Sequence, residues 1–310
     1  AELSTTDNTG EASGRVYALG TTGSIVGAFG TTFFLIPTFS IEVIGLFFGG
    51  LLVVTALRLA YPDVTPKGMA LIGLVVIVLA ASVASPSLGI AVPGQVVYQS
   101  QTAYQELQVV DRGEVRTLYL DGQPHSAIDL EDPDRHVFTY TRYFHLPLLM
   151  TDDVDRVLFI GGGGFTGPRI FAETYDVEVD VAEIDPAVVS AAKTYFQVEP
   201  PENMDIHTMD GRQYLQETDT TYDLIVLDAY KKDKVPFQLT TSEFYELASS
   251  RLDADGVLLA NIISAPSGSG SQFFRAEYKT MQTVFPQVYA FRTAESAFVQ
   301  NIEVVATKRE

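Results

Sequence analysis

Each of four predicted strands in residues 156–228 is followed by an acid or by a run of glycines. The strands are runs of four to six residues of which at least half are apolar, and such runs predict the strands of a sheet. The groups that follow them are, in chain order, the turn Gly161–Gly167, Glu183, Asp210 and Asp228. Ligands of an open parallel sheet bind outside the carboxyl ends of its strands. The four groups therefore predict one pocket, and its composition indicates an enzyme.

The glycine-rich turn and Glu183 together favour a nucleoside ligand. Gly162, Gly164 and Gly167 fit the spacing G-x-G-x-x-G, which is a weak signal by itself. Here the spacing follows a predicted strand and opens a predicted helix, where free N–H groups can face a ligand. Glu183 comes 21 residues after Gly162, where a carboxylate can accept both hydroxyls of a ribose. A tight turn without a ligand is the alternative for the glycines.

Two aspartates are candidates for the rest of the pocket. Asp210, followed by Gly211, is placed to accept a hydrogen bond from an adenine amine or to cap the helix near Arg212; the two roles are compatible. Asp228 lies at the reacting end of the ligand. A protonated amine, with a pKa near 10, must lose a proton before it attacks, and Asp228 could hold the ammonium group and take that proton. An acidic loop residue without a chemical role is the alternative for Asp228.

Strands and helices alternate from residue 156 onward, which predicts a doubly wound α/β domain. The predicted strands are Arg156–Ile160, Val177–Ala182, Ile206–Met209 and Tyr222–Leu227. The predicted helices are Gly167–Tyr175, Pro186–Phe196, Gly211–Gln216, Thr241–Leu252 and Ser271–Phe285. Asp185, followed by Pro186, is expected to cap the second of these helices. Val288–Thr293 and Ala297–Thr307 predict an antiparallel hairpin, so we expect a Rossmann-like sheet of the class I methyltransferase type.

Three apolar stretches precede this domain. Val16–Pro37, Ile41–Ala60 and Gly68–Val92 are each about as long as the roughly 20 residues that span a bilayer. Three successive stretches fit a cleavable signal peptide poorly, so we predict three transmembrane helices, with buried helices of a soluble core as the alternative. The chain begins with Ala rather than Met, and we expect the natural protein to continue upstream.

A small antiparallel sheet is predicted between the apolar stretches and the α/β domain. Residues 94–130 alternate in the manner of strands, and the turns Asp111–Gly113 and Asp121–Gly122 separate them. Residues 138–150 predict a helix that leads into the first parallel strand. We therefore divide the chain into a membrane region at 1–93, a small β domain with its connecting helix at 94–150 and a Rossmann-like domain at 151–310.

The charge of the chain is strongly negative and unevenly distributed. The net charge is −19, of which residues 1–93 carry −2 (five acids and three bases) and residues 94–310 carry the remaining −17. Such a surface disfavours nucleic acid and anionic lipid. Adaptation to high salt explains it best, and attraction of cationic substrates is the alternative. The chain has no cysteine, and its four histidines show no metal-ligand spacing, so we predict no metal site.

The residues above resemble, in this order, those of the polyamine aminopropyltransferases, which are the spermidine and spermine synthases. The resemblance covers about residues 97–307. The motifs that carry it are Tyr104-Gln105, Leu120–Gly122, His145–Pro147, Val157–Gly164, Glu183–Pro186, Asp210-Gly211 and Asp228. The three apolar stretches resemble the membrane segment of membrane-fused members, of which this chain resembles the carboxyl-terminal portion.

This resemblance implies transfer of an aminopropyl group to a diamine or polyamine, with decarboxylated S-adenosylmethionine as co-substrate and without a cofactor or metal. It implies that Gln105 and Glu183 hold the ribose, that Asp210 contacts adenine and that Asp228 is the base. The glycines expected to line the nucleoside pocket are Gly162, Gly164, Gly167 and Gly211. The resemblance also implies homodimers.

The sequence departs from the family at the groups that recognise the cationic chain. The pair Gly164-Phe165 stands where the family usually has an acid in the glycine loop. The pair Ala229-Tyr230 stands where the family usually has a second acid followed by proline, and Thr141 replaces a glutamine. The nucleoside contacts are therefore kept, whereas the contacts to the amine are changed.

Two other functions fit the sequence. A methyltransferase that uses S-adenosylmethionine would keep the glycine turn, Glu183 and Asp210, and a non-catalytic membrane protein could bind a nucleoside or polyamine without turnover. A nicotinamide oxidoreductase fits less well because of the terminal hairpin and the loop after Asp228.

The side of the membrane on which the catalytic domain lies can be predicted from where its nucleoside donor is found. The few bases, Arg15, Arg58 and Lys67, favour an amino end inside the cell, and three spans would then place the catalytic domain outside, away from its nucleoside donor. We give the donor more weight and predict a multi-pass protein of the cell membrane with a cytoplasmic catalytic domain.

Overall fold

The computed structural model describes residues 9–36, 39, 41–60, 68, 73–75, 92–151, 153–230 and 235–309. The chain divides into two compact units, residues 1–89 and residues 90–310. The predicted boundary near residue 93 lies close to this division, and the boundary predicted at residue 150 stays a prediction.

The described part of the first unit is helical. Helix α1 (Thr9–Gly30) continues into a π-helical segment, Thr31–Leu35, and α2 spans Ile41–Ala60. Within the described residues, the 23-residue stretch Ser13–Leu35 is long and apolar enough to cross a membrane, and Val43–Leu59 is a shorter apolar helix. The third predicted span, Gly68–Val92, lies almost entirely outside the described residues.

The second unit begins with the small antiparallel sheet that the sequence predicts. Its strands, which neighbour each other in chain order, are β1 (Gln95–Gln101), β2 (Glu106–Arg112), β3 (Val115–Leu120) and β4 (Gln123–Asp129). Strand β4 is not among the predicted strands. Asp121 and Gly122 both have positive φ, 49° and 74°, which is the backbone of a tight two-residue hairpin turn. The turn therefore returns the chain as a fourth strand.

The larger sheet has the strand order β10-β11-β9-β8-β5-β6-β7. Its strands are β5 (Arg156–Ile160), β6 (Glu178–Ala182), β7 (Met204–His207), β8 (Tyr222–Leu227), β9 (Leu252–Ser264), β10 (Gln287–Arg292) and β11 (Gln300–Thr307). Strands β5 to β9 pair in parallel, whereas β10 and β11 form the predicted antiparallel hairpin, which joins β9. The fold class is therefore confirmed, with β9 as a strand that the sequence analysis does not list.

Helices cover both faces of the larger sheet. They are α3 (Thr166–Tyr175), α4 (Pro186–Tyr195), α5 (Gly211–Glu217), α6 (Ser242–Ser250) and α7 (Gln272–Gln282). Each lies within a few residues of its predicted bounds. Successive residues of β5 alternate between two hydrophobic cores: Phe159 packs with Phe144 and the small sheet, and Leu158 packs with Phe244 of α6. This double burial explains why β5 and β8, in the middle of the sheet, are nearly continuous apolar runs.

The segment before β5 is a 3-10 helix, Thr139–Leu149, where the sequence predicts a helix at 138–150. Pro147 lies inside it and lacks the N–H that an α-helix would use. This segment packs against β9 and β11. It therefore places its first residues over the carboxyl edge of the sheet.

Candidate active site

The glycine turn after β5 brings the ends of two strands into close contact. Gly161 has a φ of +99°, and a Cβ atom there would lie 2.4 Å from the carbonyl oxygen of Asp228. The backbone N–H of Asp228 donates to the carbonyl oxygen of Ile160 at 2.9 Å. Only glycine fits position 161, so this residue sets the distance between the glycine turn and Asp228.

Three of the four predicted site glycines have packing roles in the structure. A Cβ atom at Gly164 would lie 2.7 Å from Ser126 Oγ, and one at Gly167 would lie 3.1 Å from the ring of Phe144. A Cβ atom at Gly211 would lie 2.3 Å from Ile160. These three glycines let elements approach each other, so any contact they make with a ligand uses their backbone. Phe165, which stands where the resemblance expects an acid, is fully buried.

Glu183 lies directly beside the glycine turn. Its carboxylate accepts hydrogen bonds from the backbone N–H of Gly162 at 2.8 Å and from that of Asp185 at 2.9 Å. Burial raises the pKa of Glu183, and the backbone N–H groups of Asp185, Gly162 and Gly163 oppose that rise. A carboxylate has about four lone-pair sites, so Glu183 can still accept from a ribose hydroxyl.

Gln105 is brought to the same end of the pocket by a long-range contact. It is buried, and its backbone carbonyl accepts from Thr102. The hydroxyl of Thr102 lies 2.6 Å from Asp185 Oδ2, while Asp185 Oδ1 accepts from the N–H of Ala187 as the predicted cap of α4. The cap is confirmed, and its second oxygen ties the turn of Gln105 to the strand end of Glu183.

Asp210 caps α5, which is one of its two predicted roles. Its Oδ1 accepts from the backbone N–H groups of Arg212 and Gln213 at 2.9 and 3.1 Å. Among the described residues, its Oδ2 has only a 3.4 Å contact from Gln238 Nε2, which is long for a hydrogen bond. One oxygen of Asp210 is therefore engaged in the cap, and the other can accept from an adenine amine.

Asp228 ends β8 and is held by side chains from distant parts of the chain. Its Oδ1 accepts from Asn261 Nδ2 at 2.8 Å, and its Oδ2 lies 3.4 Å from the hydroxyl of Tyr140. Burial raises the pKa of Asp228 to about 6, although both hydrogen bonds oppose the rise. A carboxyl group with this pKa is ionised at neutral pH and can take and release a proton near that pH.

Asn261 is fixed from both sides. Its Oδ1 accepts from Asn301 Nδ2 at 2.9 Å, which turns its Nδ2 towards Asp228. Tyr230, two residues after Asp228, donates its hydroxyl hydrogen to the carbonyl oxygen of Asn261. The position of the Asp228 carboxylate is thus determined by β9, β11 and the loop that follows β8.

A chain of aromatic and imidazole groups supports the 3-10 helix that carries Tyr140. His145 Nε2 lies 3.1 Å from His136 Nε2, and its Nδ1 lies 2.8 Å from the hydroxyl of Tyr175 on α3. The His145 ring also stacks on Phe171. Burial lowers the pKa of His145 to about 4, with the neighbouring His136 as a second cause. The imidazoles are therefore neutral structural groups at neutral pH.

Sequence reasoning does not identify four residues that the structure places around Asp228. Tyr140, Tyr230, Asn261 and Glu303 surround it, and Glu303 is fully buried. A signal is present for two of them. Asn261 interrupts the apolar run Val257–Ile263, and Glu303 interrupts Ile302–Ala306. A polar residue inside a buried strand needs a partner, so the sequence alone could have indicated both positions as candidate site residues.

Comparisons with known proteins agree with this geometry. Residues 137–303 match the family model of the spermine/spermidine synthase domain. A polyamine aminopropyltransferase of Vibrio vulnificus is 31% identical over 211 residues, which cover 65% of this chain and 69% of that protein. A probable polyamine aminopropyl transferase of Bifidobacterium longum is 29% identical over 214 residues, which cover 67% of this chain and 47% of that protein.

Solved structures show the same fold. A spermidine synthase from Thermotoga maritima superposes with a TM-score of 0.58 at 23% identity, over 69% of this chain and 73% of that one. A probable spermidine synthase from Corynebacterium glutamicum superposes with a TM-score of 0.61 at 22% identity, over 71% of this chain and 82% of that one. At this level of identity the likeness shows the architecture of the sheets.

Proposed function

Since the chain belongs to the spermine/spermidine synthase family of polyamine aminopropyltransferases, we propose that it moves an aminopropyl group from decarboxylated S-adenosylmethionine to a diamine or polyamine. The observation that carries this proposal is Asp228. The backbone of Asp228 lies beside the glycine turn, its carboxylate contacts Asn261 and Tyr140, and burial raises its pKa to about 6. It is therefore placed to take a proton from an amine next to a bound nucleoside.

The proposed reaction is a single displacement. An ammonium group of the acceptor first passes a proton to Asp228, which passes it on to solvent. The neutral nitrogen then attacks the aminopropyl carbon next to the sulfonium, so that a C–N bond forms and the C–S bond breaks. The electron pair of the broken bond goes to sulfur, and neutral methylthioadenosine leaves. The chemistry needs only the two substrates, because the leaving group requires no further activation.

In this proposal the pocket has two ends. The nucleoside end consists of Gln105, Glu183 and Asp210, which would hold the ribose and adenine of the donor. The amine end consists of Tyr140, Asp228, Asn261 and Glu303 and would hold the acceptor. Gly161 keeps the two ends in contact through its close approach to Asp228.

Incubation with defined substrates tests the function. The purified full chain, in detergent at high salt, is given decarboxylated S-adenosylmethionine with putrescine, cadaverine, spermidine and agmatine, and products are read by mass spectrometry. We expect methylthioadenosine and an amine heavier by one aminopropyl group. A parallel incubation with S-adenosylmethionine tests the rival reaction. Methylated amine with no aminopropyl product would overturn the proposal.

We also propose that the enzyme is anchored in a membrane and that its catalytic unit faces the cytoplasm. The stretch Ser13–Leu35 has the length and composition of a span, and large side chains on it, such as Phe29 and Phe33, are exposed. We expect the full chain to stay with membranes after an alkaline wash and its catalytic unit to be digested by protease added to inside-out vesicles. Release by the wash would contradict the anchor, and protection from the protease would contradict the topology.

A further inference from the structure

Glu303 is a buried acid without a hydrogen-bond donor in the part of the chain that the structure describes. Its exposure is 0%, and both of its carboxylate oxygens are buried without a partner. Nearly all buried polar groups in native proteins are hydrogen-bonded, and an unpaired buried carboxyl group is costly. The position therefore calls for a partner that brings its own hydrogen-bond donors.

Glu303 lies in one row with Asp228 and Asn261. In the sheet, Glu303 of β11 pairs with Asn261 of β9, and Leu227 of β8 pairs with Ala260 of β9. Asp228 directly follows Leu227 and so continues the row of Asn261 and Glu303. Paired residues of neighbouring strands point to the same face of a sheet. Two acids therefore flank one asparagine at the amine end of the pocket.

The neighbours of Glu303 direct their hydrogen bonds to other acceptors. The side-chain nitrogen of Asn261 donates to Asp228, and that of Asn301 donates to Asn261. The hydroxyl of Tyr140 lies 3.1 Å from the carbonyl oxygen of His125 and 3.4 Å from Asp228 Oδ2, and the longer contact is weak for a hydrogen bond. What fits beside Glu303 is thus a group with several donors and no acceptor, which describes an ammonium group.

Another buried acid shows what a purely structural carboxyl group looks like in this protein. Glu277 of α7 is 5% exposed and accepts from the hydroxyl of Tyr245 at 2.6 Å. Burial raises the pKa of both Glu277 and Glu303, and the charge of Asp228 raises that of Glu303 further. Glu277 has an internal donor, whereas Glu303 has none among the described residues, although both side chains are buried.

We propose that Glu303 binds the ammonium group at the non-reacting end of a linear diamine while Asp228 takes the proton from the attacking nitrogen. The inference rests on the proposed function of the site. Two strand spacings, each about 4.8 Å, separate the backbones of the two acids. An acceptor with a charge at each end suits this arrangement. Tyr140 lies over this row, and the incoming amine replaces the weak contact of Tyr140 with Asp228. Any proton on Glu303 passes to solvent.

Amine kinetics of Glu303→Gln test the proposal, with putrescine as the diamine and n-butylamine as the matched monoamine. We expect the KM for putrescine to rise about tenfold to a hundredfold, because one contact between an ammonium and a carboxylate is lost. The KM for n-butylamine and the KM for the donor should each change by less than about twofold from the wild-type value, because neither substrate makes the lost contact. The control is Glu277→Gln, which makes the same chemical change in a buried acid on the other face of the sheet and should leave every KM unchanged.

A second measurement keeps the test independent of turnover. Putrescine is titrated calorimetrically into wild-type protein and Glu303→Gln, each saturated with methylthioadenosine. If the wild-type protein makes no product but Glu303→Gln binds putrescine at least tenfold more weakly, the proposed reaction fails and the role of Glu303 stands. A folded Glu303→Gln with unchanged KM and Kd for putrescine would overturn the role of Glu303, whatever the reaction.

Discussion

Acids at the proposed nucleoside end of the pocket are held by backbone groups close to them, whereas Asp228, at the proposed amine end, is held by side chains far along the chain. Asp210 accepts from backbone N–H groups two and three residues ahead, and Glu183 accepts from one two residues ahead and from the glycine turn. Asp228 instead binds Asn261 and Tyr140, which are 33 and 88 residues away. The first arrangement follows from local chain geometry, and the second exists only after the sheet has formed.

This difference has a chemical consequence. Burial raises the pKa of both Glu183 and Asp228. At Glu183, backbone N–H groups oppose this rise by stabilising the ionised carboxylate, which suits an acceptor of ribose hydroxyls. The pKa of Asp228 rises to about 6. The amine end therefore suits proton transfer. The following changes should affect one end and spare the other.

The largest effect is expected from Asp228→Asn. This change removes the proton acceptor, so kcat should fall about a hundredfold to ten-thousandfold, while the KM of the donor stays close to the wild-type value. Turnover kinetics with saturating amine measure both. The control is Asp205→Asn, which alters an exposed acid near the start of β7 and should leave kcat unchanged.

The same substitution should stabilise the protein at high pH. The pKa of Asp228 is raised from 3.8 to about 6 on folding, so its contribution to stability is present below pH 3.8 and is lost as the pH rises through about 6. Thermal unfolding at pH 8 should give a higher Tm for Asp228→Asn than for the wild type. An equal or lower Tm would show that the buried carboxylate carries no penalty.

Glu183→Gln should affect the proposed nucleoside end of the pocket. The loss of a charged acceptor for the ribose should raise the KM of the donor about tenfold to a hundredfold and leave the KM of the amine unchanged. Initial-rate kinetics with each substrate varied in turn separate the two. An effect on the amine alone would contradict the assignment of Glu183 to the nucleoside end.

The pH dependence of kcat/KM should follow Asp228. Activity should rise with pH along an acid limb near pH 6, because the carboxylate is the active form. Tyr140→Phe removes a hydrogen bond that lowers the pKa of Asp228, so its acid limb should move to higher pH. A profile of kcat/KM from pH 5 to 9 for both proteins measures this shift. An acid limb at the wild-type pH would show that Tyr140 does not affect the pKa of Asp228.

The smallest effect is expected at the cap of α5. Asp210→Ala removes the side-chain acceptor for two N–H groups and should lower the free energy of unfolding by about 1 kcal/mol. Asp210→Asn keeps a capping oxygen and should be close to neutral in denaturant unfolding. If Asp210 acts only as a helix cap, Asp210→Ala and Asp210→Asn will differ in stability but will have the same KM for the donor. This result would contradict a contact between Asp210 and adenine.

Much of the nucleoside end is predictable from sequence because its determinants are local. Apolar runs mark the parallel strands, and the residue after each run lies at the carboxyl edge, so Glu183, Asp210 and Asp228 could be assigned to one pocket. The caps at Asp185 and Asp210 follow from the residues that succeed them. Gly161 is different: its sequence neighbours predict a turn, but its contact with the carbonyl of Asp228 belongs to the sheet.

The residues that surround Asp228 could be identified only from the tertiary structure. The sequence by itself determined the alternation of strands and helices, the terminal hairpin and the acids at the strand ends, because periodicity and turn chemistry act over a few residues. Only the folded sheet decided that Asn261 and Glu303 share a row with Asp228, because the order and register of β8, β9 and β11 depend on long-range pairing. A one-residue slip in β11 would turn Glu303 to the opposite face.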